Sequence, residues 1–372
     1  MGSDTARSRV ASGQAWEQFC DRLKEAGKIM LRPETPTGEL DRAEGWRHLS
    51  RLTRMALEVC FENSDADFPN LLNIPNATTK AGADNPDNLY FTAAIAGDRE
   101  YRLHGTRGTV AMLSFGTKSL VTGADGQAIV KSTGGLDNRK LVVNPDGTFE
   151  IAVSSEPRTG NWLPLAPESN VLSVRQTFHD RDAEVPATVK IRRVGGPATP
   201  KPLSAKRADW ALRGAADLVT RIAVRYADWA KWYQGFPNTL RTIAGSPLRE
   251  EAADPNIGYL YGYWSIGPDE ALVIETPIPP CELWNFQINN YWMESLDYRY
   301  HRIWVNKHSA RYNPDGSVTL VVAASNPGMG NFLDTAGHGC GTMVLRWTRA
   351  EYHPVPVCRV EKLAALRERA SR

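Results

Sequence analysis

The feature that most constrains the fold of this chain is an internal repeat. Asn144-Pro145-Asp146-Gly147 opens a stretch reading NPDGTFEIAVSSEPRTGNWLPLAPESNVLSVRQT, and Asn313-Pro314-Asp315-Gly316 opens NPDGSVTLVVAASNPGMGNFLDTAGHGCGTMVLRWT. With two one-residue gaps, both copies hold the same turn, an alternating strand, a Gly-Asn-aromatic-Leu segment (Gly160 to Leu163, Gly330 to Leu333) and a closing strand with an arginine, Arg175 or Arg346. Such self-similarity means that one supersecondary unit is used twice. A unit built from turn residues and two-residue alternation is a β unit. The expected fold is therefore mainly β with helical additions: two jelly-roll-like antiparallel β-sandwich lobes derived from the repeat.

Around this frame the texture changes in order. Ser12 is placed to cap a helix carrying Trp16, Phe19, Leu23, Ala26 and Met30, which Arg32-Pro33-Glu34-Thr35-Pro36-Thr37-Gly38 breaks. A second helix from Glu39 sets Ala43, Trp46, Leu49, Ala56 and Cys60 on one side, an amphipathic arm for a core or a partner subunit. Short β runs begin near Asn88. A helix capped by Ser204 and carrying Ala211, Ala215, Leu218, Ile222 and Trp229 separates the lobes, and a charged helix from Val360 to Arg369 closes the chain. The expected divisions are a helical segment at 1–84, a first lobe at 85–200, a connector at 201–257, a second lobe at 258–350 and a tail at 351–372.

Composition narrows the function classes. The chain has 372 residues, 42% hydrophobic and 23% charged, enough to bury a sizeable core. Lys and Arg number 44 against 42 Asp and Glu, a balance that argues against a general grip on nucleic acid or membrane. The opening residues hold no apolar stretch of signal-peptide length, so no secretory signal is expected, and the longest apolar run, Val318 to Ala324, is too short to span a bilayer. Five cysteines (Cys20, Cys60, Cys281, Cys340, Cys358) without a CxxC pair suit reduced thiols in a cytoplasmic protein. Asn76-Ala77-Thr78 is then an incidental glycosylation sequon. The expected partner is a small-molecule substrate, with a homo-oligomer as a further expectation.

The repeat also sorts residues by role. Positions alike in both copies serve the architecture, which both lobes need: Asn161 and Asn331, Arg175 and Arg346. Polar positions present in one copy are candidates for chemistry. Copy one carries Pro164-Leu165-Ala166-Pro167-Glu168 where copy two carries Asp334-Thr335-Ala336-Gly337-His338-Gly339-Cys340-Gly341, with a carboxylate, a hydroxyl, an imidazole and a thiol on one loop. The second lobe is where a site is expected.

The segments Trp284-Asn285-Phe286, NYW…LDYRYHR from Asn290, the NPDGS turn and GNFLDTAGHGCG…RW resemble the domain-of-unknown-function 1214 family of bacterial proteins. Asn88-Leu89-Tyr90 and the Arg175 strand also fit it, over roughly residues 85–348. The resemblance implies a β-rich fold, often found beside a sister domain of unknown function numbered 1254, of which only the N-terminal helices stand here. It brings no reaction with it.

The candidate catalytic residues are His338, His301, Asp334, Asp297, Tyr298 and Arg302. If the strand after the second NPDG turn returns beside Tyr291–Arg302, the two imidazoles and two carboxylates converge. A histidine, with an unperturbed pKa of about 6.5, then exchanges protons at neutral pH while an aspartate fixes its tautomer. Tyr298 or Arg302 would stabilise developing negative charge. The candidate substrate-binding residues are Trp292, Tyr291, Asn331 and Trp284, since aromatics beside carboxylates suit a sugar ring. The expected function is a hydrolase or lyase acting on a polar or carbohydrate-like substrate. The alternatives are a non-catalytic binding or assembly protein and a metal-dependent enzyme. No HxH or HxxxH pair is present, so no residue is assigned to a metal, and no cofactor is specified. The backbone of Gly337 to Gly341 offers N–H groups to an anion, but a strand follows it, not the helix of a dinucleotide-binding loop. Plainer roles stand beside these: His338 in a tight turn, His301 in a core, Asp297 paired with Arg299 or Arg302, Cys340 as a buried filler. His104, His179, His308 and His353 are assigned no role.

Overall fold

Strand alternation and turn chemistry build the frame. In the computed structural model, which describes residues 3–122, 128–242, 254 and 256–371, three helices open the chain: α1 (Ser3–Ala11), α2 (Gln14–Gly27) and α3 (Glu39–Leu57), the last extended by a π turn over Glu58–Glu62. Eight strands follow: β1 (Asn88–Ala94), β2 (Tyr101–Thr106), β3 (Met112–Thr122), β4 (Ala128–Asp137), β5 (Thr148–Ser154), β6 (Trp162–Pro164), β7 (Val171–Thr177) and β8 (Thr188–Arg193). After helix α4 (Ala205–Gln234) and the short β9 (Thr239–Thr242) come β10 (Ile257–Ser265), β11 (Glu270–Thr276), β12 (Leu283–Ile288), β13 (Trp304–Asn306), β14 (Val318–Ala323), β15 (Phe332–Asp334), β16 (Cys340–Thr348) and β17 (Val357–Lys362), then helix α5 (Leu363–Ala370).

The repeat is reproduced strand for strand. The first eight strands form sheets ordered β1-β7-β3-β4 and β6-β5-β2-β8; the later ones form β10-β16-β12-β13 and β15-β14-β11-β17. Each label in the second set is nine above its counterpart. Pairing is antiparallel except between β5 and β6 and between β14 and β15, again the same place in both copies. In each copy the two sheets bury their inward residues against each other, as a sandwich does. Tyr101, Leu103, Phe115, Ile151 and Val174 meet in one core; Leu260, Trp264, Leu272, Trp284, Phe286, Leu320 and Trp347 meet in the other. Each such side chain contributes about 1.5–3 kcal/mol on burial.

The shared turn chemistry is the same at atomic level. Asp146 Oδ1 accepts from the Thr148 amide at 3.0 Å and Asp315 Oδ1 from the Ser317 amide at 2.9 Å. Gly147 and Gly316 both take the left-handed conformation that glycine adopts freely (φ 82° and 81°). Asn161 exchanges two hydrogen bonds with the Val142 backbone and donates to Glu150 O. Asn331 does the same with Arg311 and Thr319 O.

Some local expectations give way to packing. Helix α2 starts after Gly13, in the left-handed region (φ 83°), so the N-cap is a glycine and the Ser12 Oγ, one residue before it, accepts only a long bond of 3.5 Å from the Gln14 amide. On α3, Ala43 and Trp46 face solvent while Gly45, His48, Leu52 and Ala56 are buried, so the docked face is rotated from the apolar one. The closing helix begins at Leu363 because Val357–Lys362 pairs with β11 as a strand. The Ser204 cap is present, its Oγ accepting from the Arg207 amide at 3.2 Å.

The chain divides into two compact units. The first comprises Met1–Lys28, Leu49–Thr79 and Asp87–Ile222, the second Ile29–His48, Lys80–Pro86 and Ala223–Arg372. Residues 1–84 and the 201–257 connector therefore do not stand as units of their own; each is divided between the two, and 243–253 and 255 lie outside the described residues. Among the described residues no helix is long and apolar enough to cross a membrane.

Candidate functional site

In the second unit, the face of β10-β16-β12 turned away from the sandwich core is polar and yet buried. Register aligns Tyr259, Arg346, Asn285 and Asn306 in one row, and Tyr261, Val344 and Gln287 in the next. Sheets of this kind commonly leave such a face to water. Here Tyr261, Tyr263, Arg346, Asn285, Gln287 and Asn289 are all buried, and Lys80–Pro86 supplies partners to Arg346, Asn285 and Gln287. Arg346 donates to Ala83 O (2.5 Å) and Gln287 Oε1 (2.7 Å), Gln287 donates to Asp84 O (3.0 Å), and Asn285 to Asn85 Oδ1 (2.5 Å). Burial pushes the Tyr261 and Tyr263 phenols well above their ordinary range, so both stay protonated donors.

One end of this face is closed by the turn from Asn289 to Ser295. Met293, within the turn, and Ala83, whose amide donates to Met293 O at 2.6 Å, both hold φ near 55°, a conformation non-glycine residues seldom adopt. Lys80, only 1% exposed, directs its ammonium at Ser295 O (2.6 Å), Ser295 Oγ (2.9 Å) and Leu296 O (2.7 Å), with the Tyr298 ring 4.6 Å away. Ser295 in turn donates its hydroxyl (2.7 Å) and its amide (3.0 Å) to the Asp84 carboxylate. Burial pushes the Asp84 carboxyl up, while Lys80 and the Ser295 hydrogen bonds draw it back down.

Three histidines of this unit meet carboxylates through Nδ1. His301 Nδ1 lies 2.8 Å from Asp334 Oδ2, with side chains 39% and 32% exposed. His338 Nδ1 lies 3.3 Å from Asp41 Oδ1, and His48 Nδ1 lies 3.0 Å from Glu294 Oε1, a pair without solvent exposure. His48 also stacks on Trp292 at 6.0 Å, and its Nε2 is buried with no partner. With each carboxylate ionised, Nδ1 donates and Nε2 is left to accept or give a proton. Asp41 and His48 lie seven residues apart on α3, two turns along the face on which Gly45 lets the Trp292 indole approach.

The expected site residues are thus placed as follows. The strand after the second NPDG turn does return beside the first stretch: the Asp334 amide donates to Arg302 O at 2.8 Å, and Asp334 meets His301. His338 turns instead to Asp41. Asp297 is held by Arg299 through two bonds of 2.8 and 2.7 Å, which draw its carboxyl down to about 2. Arg299→Ala is expected to raise the Asp297 titration toward the ordinary carboxylate range of about 3.9, short of it because the residue 299 amide and Lys80 still favour the charge. A titration by NMR would show it, and an unmoved midpoint would refute the assignment. Arg302 donates to Gly330 O at 2.9 Å, and Tyr298 packs edge-on to Trp304. Trp284 lies in the sandwich core with its N–H on Tyr312, while Trp292 is buried against α3 and Tyr291 against Trp292 and Tyr263. The Asn331 amide is engaged by backbone, as the repeat implies. Burial pushes the Cys340 thiol up, against a hydrogen bond from Tyr263, so it stays a thiol and not a nucleophilic thiolate. Among the described residues no three His, Cys, Asp or Glu side chains stand where they could hold a metal ion.

Reading the sequence missed Lys80, Asp84, Asp41, His48 and Glu294. One local signal was present: Tyr259-Leu260-Tyr261-Gly262-Tyr263 and Asn285-Phe286-Gln287-Ile288-Asn289 alternate apolar residues with uncharged polar ones, the pattern of a sheet with a covered polar face. The distant partners carry no such pattern.

The model of a family described as a protein of unknown function (DUF1214) matches residues 91–179 and 269–351, one segment in each sandwich. The crystal structure of an uncharacterized protein from Burkholderia cenocepacia is 48% identical, covers 96% of this chain and 99% of its own, and superposes with a TM-score of 0.90. The VPA0106 protein from Vibrio parahaemolyticus is 12% identical over 85% of this chain and 98% of its own, with a TM-score of 0.47. No curated protein matches the chain. With a matched segment in each copy of its repeated sandwich, the chain belongs to the DUF1214 family.

Proposed function

We propose that the second unit is an enzyme that transfers protons on a small polar or carbohydrate-like molecule, in a hydrolase or lyase reaction, with His301 as its acid–base group and Asp334 as the carboxylate that orients it. The observation that carries this reading is the repeated Nδ1 pairing: three of the protein's seven histidines each meet a carboxylate, all in one unit. Of the three, His301 is the one substrate can reach, because its ring is partly exposed while His48 and His338 are buried. Arg302, next in sequence, supplies positive charge beside any oxyanion that forms. The five cysteines, all free in the structure, support a reducing, cytoplasmic setting for this activity.

The test is turnover of a pooled panel of glycosides, sugar lactones and uronic acids by wild type and by His301→Gln. The variant is expected to lose about 10²-fold or more in turnover while keeping its thermal unfolding temperature, since the ring is partly exposed. Full activity in the folded variant would refute the role of His301. Saturable binding without turnover across the panel would instead make the unit a binding protein.

A further inference from the structure

We infer that the outer face of the β5-β2-β8 sheet, in the first unit, is a binding site for a small anionic polyol, a molecule bearing a phosphate or carboxylate together with several hydroxyls. The face holds a concavity of about 450 Å³ lined by His104, Thr106, Asn144, Thr148, Glu150, Thr188 and Lys190, with backbone from Gly105 and Phe149. Register explains the lining. Glu150, His104 and Lys190 sit directly opposite one another across three adjacent strands, and Thr148, Thr106 and Thr188 form the next row on the same face. Strands about 4.8 Å apart set these side chains within reach of one small molecule.

The repeat shows that such a face is not required by the architecture. In the second unit the corresponding row is Thr319, Glu275 and Val357, and Glu275 is held by Arg359 at 2.5 Å. Further along that face Ala271, Val273, Val321 and Ala323 pack under Leu363 and Leu366 of α5. In the first unit the same strands present polar side chains, and His104, Thr106, Glu150, Thr188 and Lys190 are exposed. One ancestral face has thus become a packing surface in one copy and an uncovered concavity edged by polar side chains in the other.

The chemistry of the lining selects the ligand. Among the described residues the side chains of His104 and Lys190 have no hydrogen-bond or ion-pair partner. Arg192, two residues on from Lys190 along β8, is likewise exposed and unpaired. Lys190 in the lining and Arg192 beside it, both left free, attract an oxyanion. Glu150, 3.9 Å from Arg102, and the threonine hydroxyls, of which Thr106 and Thr188 lie 2.8 Å apart, exchange hydrogen bonds with ligand hydroxyls. Phe149, whose backbone lines the concavity, is buried in the core, and no tyrosine or tryptophan joins the lining, so charge supplies much of the affinity.

Calorimetric titration of the full-length protein with glycerol 3-phosphate, with inorganic phosphate and with glycerol tests the inference. Saturable binding is expected for glycerol 3-phosphate and weaker binding for phosphate. Lys190→Ala should weaken glycerol 3-phosphate binding at least tenfold, and Thr188→Val should weaken it less. Lys131→Ala, on another sheet, should leave it unchanged. All three variants alter exposed side chains, and an unchanged thermal unfolding temperature would confirm that they remain folded. No saturable binding of either anion at millimolar concentration, equal binding of glycerol, or wild-type affinity in Lys190→Ala would each overturn the site. None of these outcomes bears on His301, which belongs to the second unit.

Discussion

Lys80→Met is expected to cost about 3–5 kcal/mol of folding stability at neutral pH, the range seen when one partner of a buried charge pair is removed. Methionine fills nearly the same volume, so the loss is electrostatic. All three ammonium hydrogens of Lys80 have acceptors on Ser295 and Leu296, and that positive charge is what draws the buried Asp84 carboxyl down. Without it the Asp84 charge is buried uncompensated. Equilibrium denaturation in urea measures the loss, and a cost below about 1 kcal/mol would mean that water already solvates the pair. The pH dependence carries a definite sign. Burial raises the Asp84 carboxyl, so the folded state binds its proton more tightly than the unfolded chain does. That contribution is present below the unfolded carboxylate range and is lost as pH rises through the folded value. Removing Lys80 raises the folded value further. The deficit of the variant relative to wild type should therefore shrink as pH falls from neutral toward about 4. Adding Asp84→Asn should recover most of the loss at neutral pH, because a neutral amide still accepts from the Ser295 amide and donates to its hydroxyl.

Trp292→Ala should be comparably severe, again about 3–5 kcal/mol, the usual cost of deleting a buried aromatic ring from a packed site. The indole is 1% exposed, donates to Asp41 O at 3.2 Å, stacks on His48 and meets the Tyr291 ring edge-on at 5.0 Å. Gly45 has no side chain because none fits: a Cβ there would stand 2.8 Å from the indole. The ring thus keys α3 onto the turn from Asn289 to Ser295 and holds Asp41 and His48 opposite His338 and Glu294. Urea denaturation reads the stability loss. A stable variant with the wild-type unfolding midpoint would show that α3 is held by other contacts.

How much of this was legible in advance depends on distance along the chain. The pairing of His301 with Asp334 spans 33 residues; the repeat leads to the expectation that the Gly330 loop returns beside Tyr291–Arg302, but not to which histidine meets which aspartate. The engagement of Asn331 by backbone was equally readable from its twin, Asn161. The pairs His48–Glu294 and His338–Asp41 span 246 and 297 residues. Neither helical nor strand periodicity relates such positions, and on α3 the apolar pattern pointed to Trp46, not to the face that docks.

The order of residues alone determined the two sandwiches, because alternation, turn glycines and Asx side chains act over a few neighbouring positions and the same few occur twice. Only the tertiary structure decided which polar groups share a buried face. That choice rests on shape, on a glycine that admits an indole and a lysine that reaches a distant turn, and on the requirement that every buried charge find a partner wherever the chain brings one.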